Sequence, residues 1–462
     1  MLFDENFVKQ SVPGVQCAFS GDFENAEFCV DSRQVKKGDI FVALEGDNVN
    51  GHDFVKDVLH AGAGGVIISH DKKNVLNSID KKILKKKTII IVDDPLKALI
   101  SLASGWRKMM TCPVVGVTGS VGKTSTKEII SNILLLHGVD NIVSRGNQNT
   151  IIGLSMNILR VRPNHKVAIF EMGVSKRNEM RELADLAKPV YAIVTGIGHS
   201  HLQGLGSLAD IAIEKRHIFD FFKKDGVGVI NGDQKILTDV AYPHPVVTFG
   251  CKMTNRIQAR KIKVTDGGTK FVLKMYREKF EVTLPSPHDA LVYNALGAAA
   301  ITHLLGVPSD VIAKAIELPT NIKGRFNTKE LKFVPGKLID DCYNASPESM
   351  KSALLALEKI STSARKVAVL GDMLELGVNS PFWHRQLGRF LRKVPSLDKV
   401  VLVGKMIEWT KKTAPLGLEL EVVKTWKDAA LHLKENVKDE SVVLVKGSRG
   451  MGLDNLVRNL TE

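Results

Sequence analysis

The feature that most constrains this chain is the run Val114-Val115-Gly116-Val117-Thr118-Gly119-Ser120-Val121-Gly122-Lys123-Thr124-Ser125. A short apolar stretch stops at glycine, and the chain resumes with good helix formers. That is the strand–loop–helix setting of a phosphate-cradling loop. Glycines let backbone N–H groups turn toward a phosphate, and the helix N-terminus adds positive potential. In this reading residues 119–125 form the cradle, Lys123 reaches the β- and γ-phosphates, and Thr124 offers its hydroxyl to Mg²⁺. One position departs from the eight-residue consensus: counting back from Lys123, Val117 stands where the first glycine is expected.

Such a loop needs a parallel strand in front of it, and the surrounding pattern supplies one. From residue 113 to about 320, apolar strands at 114–118, 167–171, 191–195, 226–230 and 246–249 alternate with helical patterns such as 179–187 and 208–222. The alternation predicts a mostly parallel sheet covered by helices. Residues 256–284 differ, with short alternating segments around Asp266-Gly267-Gly268 that read as an antiparallel hairpin excursion. Residues 289–305 form a helix rich in small residues, which permits close packing.

The chain has 462 residues, too many for one core. The N-terminal part is mixed α/β, with strands at 39–44, 65–69 and 88–92 and a helix at 52–61. Asp93-Asp94-Pro95 caps a helix to about residue 110 that carries the chain into the next domain. After a Pro/Asn/Gly-containing stretch and Gly324-Arg325-Phe326, the alternation restarts. Strands at 338–341, 366–370, 400–404 and 442–446 and helices at 349–359, 382–391, 426–435 and 453–460 predict a doubly wound, Rossmann-like unit. The fold class is therefore α/β, with a small N-terminal domain (1–112), a central P-loop domain (113–322) and a C-terminal domain (323–462).

Composition narrows the setting. Hydrophobic content of 44% with 25% charged residues is that of an ordinary globular protein. No apolar stretch reaches the ~18 residues that span a bilayer, and the acidic N-terminus is no signal peptide. Cys17, Cys29, Cys112, Cys251 and Cys342 are scattered and show no zinc spacing, which suits a reducing cytoplasm. The net charge of +14 fits either nucleic acid or anionic small substrates. Its densest run, Lys81-Lys82-Ile83-Leu84-Lys85-Lys86-Lys87, lacks interleaved aromatics and reads as a solvated helix face or loop.

Several residues stand where chemistry is expected. Glu171 ends an apolar strand of the P-loop domain, where a carboxylate faces the ligand crevice and can serve Mg²⁺. His199 and His201 follow the next strand in a glycine-rich loop, and by position each is as readily structural as functional. Ser207 is an N-cap, which puts Lys215 two turns into a helix, where a surface lysine is the plain reading. In the C-terminal unit, Asp340-Asp341-Cys342-Tyr343-Asn344, Gly371-Asp372-Met373-Leu374-Glu375-Leu376-Gly377 and Lys446-Gly447-Ser448-Arg449-Gly450 all follow strands, so they converge on one sheet edge as a ligand face.

Together with Asp31-Ser32-Arg33, the 38–44 segment, Gly146-Asn147-Gln148-Asn149, Glu171-Met172-Gly173, His201-Leu202 and Gly324-Arg325-Phe326, these motifs resemble the ATP-dependent Mur ligase superfamily over nearly the whole chain. The resemblance implies a UDP-sugar domain, a central ATPase and a C-terminal Rossmann-like domain. It implies that a substrate carboxylate attacks the γ-phosphate of ATP and that an amine then displaces phosphate from the acyl phosphate. The Gly-Asp-Met-Leu-Glu-Leu-Gly and Tyr-Asn-Ala segments are most similar to those of the member that joins UDP-N-acetylmuramoyl-tripeptide to D-alanyl-D-alanine.

The resemblance makes Lys123, His201 and Lys215 catalytic, with Lys215 carbamylated. Thr124, Glu171 and His201 become metal ligands. Gly119, Ser120, Val121, Gly122, Thr124 and Ser125 bind nucleotide, with Asn294 near adenine and Arg325 and Asp341 at phosphate and ribose. Ser32, Arg33, Asn147, Asn149, Tyr343 and Asn344 fall to the other substrates. Asp289, Ser346, Gly450 and Met451 depart from the usual pattern, and the Asp-Asn-Pro-Arg motif of the diamino-acid-adding ligase is missing. A cytoplasmic monomer without nucleic-acid or membrane partners is expected. The rivals are a related ligase using another amine and a basic P-loop protein that binds nucleic acid.

Overall fold

A strand buried on both faces reads as an unbroken apolar run, and such runs build the middle of each sheet here. The computed structural model describes residues 3–20, 26–265, 268–288, 290–319, 322–437 and 440–462. The expected turn at Asp266-Gly267, Asp289 and part of the 319–324 stretch lie outside the described residues.

Three sheets form three domains. The first contains β1 (Gln16–Ala18), β2 (Phe28–Cys29), β3 (Ile40–Val42), β4 (Gly65–Ser69) and β5 (Thr88–Val92) in the order β1-β5-β4-β3-β2, with only β1 antiparallel. The second contains β6 (Val114–Thr118), β7 (Asn141–Val143), β8 (Val167–Glu171), β9 (Tyr191–Val194), β10 (Val227–Asn231), β11 (Val246–Gly250), β12 (Ile257–Thr265), β13 (Gly268–Met275) and β14 (Glu278–Leu284). Its order is β14-β13-β12-β11-β10-β9-β6-β8-β7, parallel except for the β12–β13–β14 excursion. The third contains β15 (Asn327–Glu330), β16 (Gly336–Asp340), β17 (Arg365–Gly371), β18 (Lys399–Val403), β19 (Glu419–Val423) and β20 (Ser441–Lys446), ordered β15-β16-β20-β17-β18-β19 with only β15 antiparallel. Among the described residues, no helix is long and apolar enough to cross a membrane.

The pattern missed β1, β2, β7, β15 and β19, and each lies at a sheet edge. Edge strands are short and half-covered, so they lack the apolar run that marks a central strand. The expected 208–222 helix is also shorter: the α-helix runs Leu208–Arg216 and passes into a 3₁₀ turn, His217–Phe219. The expected 52–61 helix begins as a 3₁₀ turn, Gly51–Phe54.

Packing around β6 positions the site. Val115 and Val117 face a core shared with the helices Lys123–Leu136 and Ala290–Leu304, while Val114 faces the opposite layer. The small residues of Ala290–Leu304 let it ride close to the sheet; at Gly297 an added Cβ would lie 2.7 Å from Ile193. The helix carrying Lys215 is fixed at its start by a capping box, in which Asp210 N–H donates to Ser207 Oγ (3.1 Å) and Ser207 N–H donates to the Asp210 carboxylate (3.0 Å). Ser207→Ala removes one half of this cap. We expect a loss of about 1 kcal/mol, read in calorimetry as a fall of about 2–4 °C in the midpoint of the central domain.

Candidate active site

The glycine loop closes against two neighbours. Gly119 (φ +151°) lies under Thr195, where a Cβ would come within 1.9 Å of the hydroxyl, and Gly122 (φ +84°) lies under Asn294, where it would come within 2.2 Å of the amide oxygen. Asn294 thus reaches the loop from the small-residue helix. Val117 is a buried strand residue in register with Glu171 on β8 and Ile193 on β9. The consensus glycine position therefore falls inside β6, and the turn begins at Gly119.

That register places the Glu171 carboxylate beside the loop. Thr124 Oγ1 donates to Glu171 Oε2 (2.9 Å), and Asn149 Nδ2 donates to Oε1 (3.1 Å). The Lys123 ammonium folds back to donate to Gly119 O (2.9 Å). Burial, reinforced by the Arg325 guanidinium and opposed by Glu171, lowers its pKa below the usual lysine value. Two groups that the sequence reading missed support this pair. Lys127 Nζ donates to Ser144 O (2.6 Å), and Ser144 Oγ accepts from Glu171 N–H (2.9 Å). Lys127 is one helical turn beyond Lys123, a spacing that could have flagged a second buried lysine.

Lys215 is not a surface residue. Its side chain is buried, and desolvation together with the Lys123 charge moves its pKa well below the ordinary value, against the pull of Glu214. Glu214 is itself tied to the backbone N–H groups of Asn178 (2.9 Å) and Met180 (2.8 Å). His201 takes a left-handed backbone conformation (φ +55°), and its ring is in ion-pair contact with Glu375, whose carboxyl it holds below the usual range.

The C-terminal domain supplies a facing wall. A cavity of about 540 Å³ is lined by Thr124 and Asn147 on one side and by Arg325, Tyr343 and Arg449 on the other. The Arg325 guanidinium stacks over the Tyr343 ring at 4.3 Å, and its buried Nε has no hydrogen-bond partner among the described residues. Burial, with the Glu171 carboxylate, pushes the Tyr343 phenol pKa up. The strand-end clusters converge as expected: Ser448 N–H donates to Asp372 O (3.1 Å), and Leu374 N–H donates to Ser448 Oγ (2.9 Å).

Other candidates sit elsewhere. The Asp341 carboxylate is buried on Lys446 Nζ (2.7 Å) and does not line the cavity. Asn344 is exposed; its side-chain oxygen accepts from Ala345 N–H, and its carbonyl accepts from Lys446. Ser346, one of the departures, caps the helix Pro347–Lys359. Ser32 and Arg33 form a 3₁₀ turn on the first domain and do not line the cavity; Arg33 chelates Asp31, lowering that carboxyl to about 2.

Hard oxygen donors fit Mg²⁺, which takes one or two carboxylates plus phosphate oxygens. The Thr124 hydroxyl and Glu171 carboxylate, side by side at the cradle, meet that requirement. A glycine cradle at a helix start, a hydroxyl–carboxylate pair beside it and an arginine wall from a second domain define an enzyme that works on a nucleoside triphosphate.

Comparison with known proteins specifies the class. The Mur ligase middle domain matches residues 117–302, the Mur ligase, glutamate ligase domain matches 324–449, and the Mur ligase family, catalytic domain matches 28–107. The UDP-N-acetylmuramoyl-tripeptide–D-alanyl-D-alanine ligase of Bacillus subtilis (strain 168) is 32% identical over 469 residues, covering 98% of this chain and 99% of that one. The crystal structure of MurF from Acinetobacter baumannii matches with a TM-score of 0.83 at 27% identity, covering 99% of this chain and 98% of that one. MurF ligase from Thermotoga maritima in complex with ADP matches with a TM-score of 0.78 at 28% identity, covering 95% and 98%. The chain belongs to the Mur ligase family, and it is an ATP-dependent ligase.

Asp341→Ala leaves the Lys446 ammonium buried without its counter-ion. Urea unfolding is expected to show a loss of about 3 kcal/mol in the C-terminal domain; a variant as stable as the parent contradicts the pair's structural role.

Proposed function

We propose that this chain joins D-alanyl-D-alanine to UDP-N-acetylmuramoyl-tripeptide, with cleavage of ATP to ADP and phosphate through an acyl phosphate. The observation that carries the reading is the 32% identity with the Bacillus subtilis ligase across 98% of this chain and 99% of that one. A carboxylate is a poor electrophile at neutral pH, so it is first activated. One of its oxygens attacks the γ-phosphorus, and the bond to ADP breaks, giving an acyl phosphate. The amine of the dipeptide then adds to the carbonyl carbon, loses its proton, and the tetrahedral centre expels phosphate.

The residues match these demands. Lys123 and Arg325 bring positive charge to the transferring phosphoryl group, and positioning plus charge neutralisation is most of what phosphoryl transfer needs. The buried Arg325 Nε has no partner among the described residues, which leaves it a donor for an anion. Thr124 and Glu171, with His201 as a further ligand, would hold Mg²⁺, which would neutralise phosphate charge. Asn294 serves the adenine, and Ser32, Arg33, Asn147, Asn149, Tyr343 and Asn344 serve the acid and amine substrates. The domains are assigned as 1–112 for the UDP-sugar, 113–322 for ATP and 323–462 for the amine side. The soluble nucleotide-sugar and dipeptide substrates suit a cytoplasmic enzyme, and a monomer is part of this reading.

The burial of Lys215 supports its carbamylation: a depressed pKa favours the free amine, which adds CO₂ and releases a proton, giving a carbamate anion in place of a neutral amine. Lys215→Ala is expected to lower turnover by at least about 100-fold, with partial rescue by a short-chain carboxylate. An active enzyme whose intact mass shows an unmodified Lys215 argues against this role. Phosphate release with D-alanyl-D-alanine and with single amino acids tests the amine: product from a single amino acid but not from the dipeptide overturns the specificity.

A further inference from the structure

We propose that Glu348 is a positioning residue through which the seated C-terminal domain sets the shape of the phosphate loop; the proposal rests on the reading of the chain as an ATP-dependent ligase. Glu348 lies in the first turn of the helix Pro347–Lys359, and its carboxylate reaches into the central domain. The backbone N–H of His199 donates to both carboxylate oxygens (3.2 Å each), and His199 Nδ1 lies 2.5 Å from Oε1. Gly198 approaches so closely that a Cβ there would lie 3.0 Å from the carboxyl carbon. On its other side the His199 ring packs on Trp383 of the C-terminal domain, with centroids 4.2 Å apart.

The gripped segment is the one that holds the P-loop. Ser120 N–H donates to Gly196 O (2.8 Å), and Ser120 Oγ donates to Gly198 O (2.9 Å). Between Glu348 and Ser120 there is thus only the backbone of Gly198 and His199. From within the central domain the same segment is held by Gln234, whose amide pairs with both backbone groups of Ile197 (2.8 and 2.9 Å). Gln234 holds the segment from inside its own domain, whereas the hold of Glu348 depends on where the C-terminal domain sits.

The Glu348 and His199 side chains are 38% and 28% exposed, so losing the contact frees polar groups into water rather than stranding them. Its removal therefore changes the direction of the loop more than the stability of the fold. By linkage, a contact that exists only in the seated state couples nucleotide affinity to whatever seats the domain.

The test uses the full-length enzyme, a non-hydrolysable ATP analogue and the UDP-muramoyl-tripeptide. In the parent chain the UDP substrate should tighten analogue binding. Glu348→Ala should lower kcat about tenfold and abolish most of that tightening, with analogue affinity in the substrate-free protein within about twofold and the unfolding midpoint within about 2 °C of the parent. Glu348→Gln keeps an acceptor for the His199 N–H and should stay within about threefold of the parent. His199→Ala should add little on top of Glu348→Ala, as expected for two members of one contact. Parent-like kcat and tightening in Glu348→Ala, no tightening in the parent, or losses that multiply fully in the double variant overturn the proposal. Parent turnover with D-alanyl-D-alanine is followed alongside: its absence counts against the ligase reading, while the coupling of the two ligands is read without turnover.

Discussion

The loop from Gly119 to Gly122 is confined so closely by Thr195 and Asn294 that neither glycine has room for a methyl group. Most of the site geometry depends on that confinement. Thr195 accepts no slack, because its hydroxyl donates to Val121 O (2.5 Å) and sits 3.2 Å from Thr118 O. Asn294 can reach the loop only because Gly297, one turn on, lets its helix settle against Ile193 and Phe249. A packing fact in the core of the sheet therefore sets where the backbone N–H groups of the cradle point. The register of β6 with β8 does the rest, bringing Glu171 to the same end.

Charge is arranged around this loop with a deliberate surplus. Lys123, Lys127 and Lys215 all lose most of their solvent, and the acids set against them are Glu171, Glu128 and Glu214. Arg325 adds a further cation from across the cavity. Desolvated lysines are costly alone, and the cost falls when a polyphosphate enters. Part of the chain's net charge of +14 is thus tied to one anion site. The run at 81–87 is different: it holds the short helix Lys81–Leu84 and a turn leading into β5, with most of its lysines in solvent.

This division between what packs inside and what lies at an edge also governs how much was legible in the sequence. The central strands of all three sheets and the loop at 119–125 are readable because a two-sided core demands continuous apolar residues and glycine punctuation. Asn327–Glu330 and Glu419–Val423 were unreadable for the opposite reason: they pair on one side only and carry charged residues, Lys329 and Glu330 in the first, Glu419 and Glu421 in the second. Among site residues, Glu171 was visible as a strand end, whereas Lys215 looked like any lysine on a helix with little amphipathic contrast. Its burial comes from the elements that surround it, which local pattern does not reveal. Asp341 stands at a strand end as the pattern read it, and in the fold its carboxylate is buried on Lys446, a partner that local pattern does not reveal.

The buried polar contacts inside each domain differ from the charged contacts that cross the cleft to the C-terminal domain. Within domains they are buried: Asp341 with Lys446, Lys127 with Ser144, Asp372 with the backbone N–H groups of Lys405 and Ile407. Breaking these strands a charge or a donor away from water, so each wall of the cavity behaves as a rigid piece. Across the cleft to the C-terminal domain the charged contacts are half in solvent: Glu348 with His199 and Glu375 with His201. The first domain is tied to the central one more firmly, with Trp106 Nε1 donating to Val161 O (3.1 Å) in the interior. Exposed ion pairs contribute little individually, typically below about 1 kcal/mol, since water replaces either partner. Charged contacts of this kind hold the C-terminal domain to its neighbour less firmly than the buried ones hold each domain together. Gly324, left-handed at φ +72° and 3.1 Å from Tyr343 by its missing Cβ, sits at the junction, so the Arg325–Tyr343 stack belongs to the C-terminal wall. A ligase that must admit a large nucleotide sugar, exclude water from an acyl phosphate and then release product needs rigid walls and a weak seam, and the distribution of buried and exposed charge supplies both.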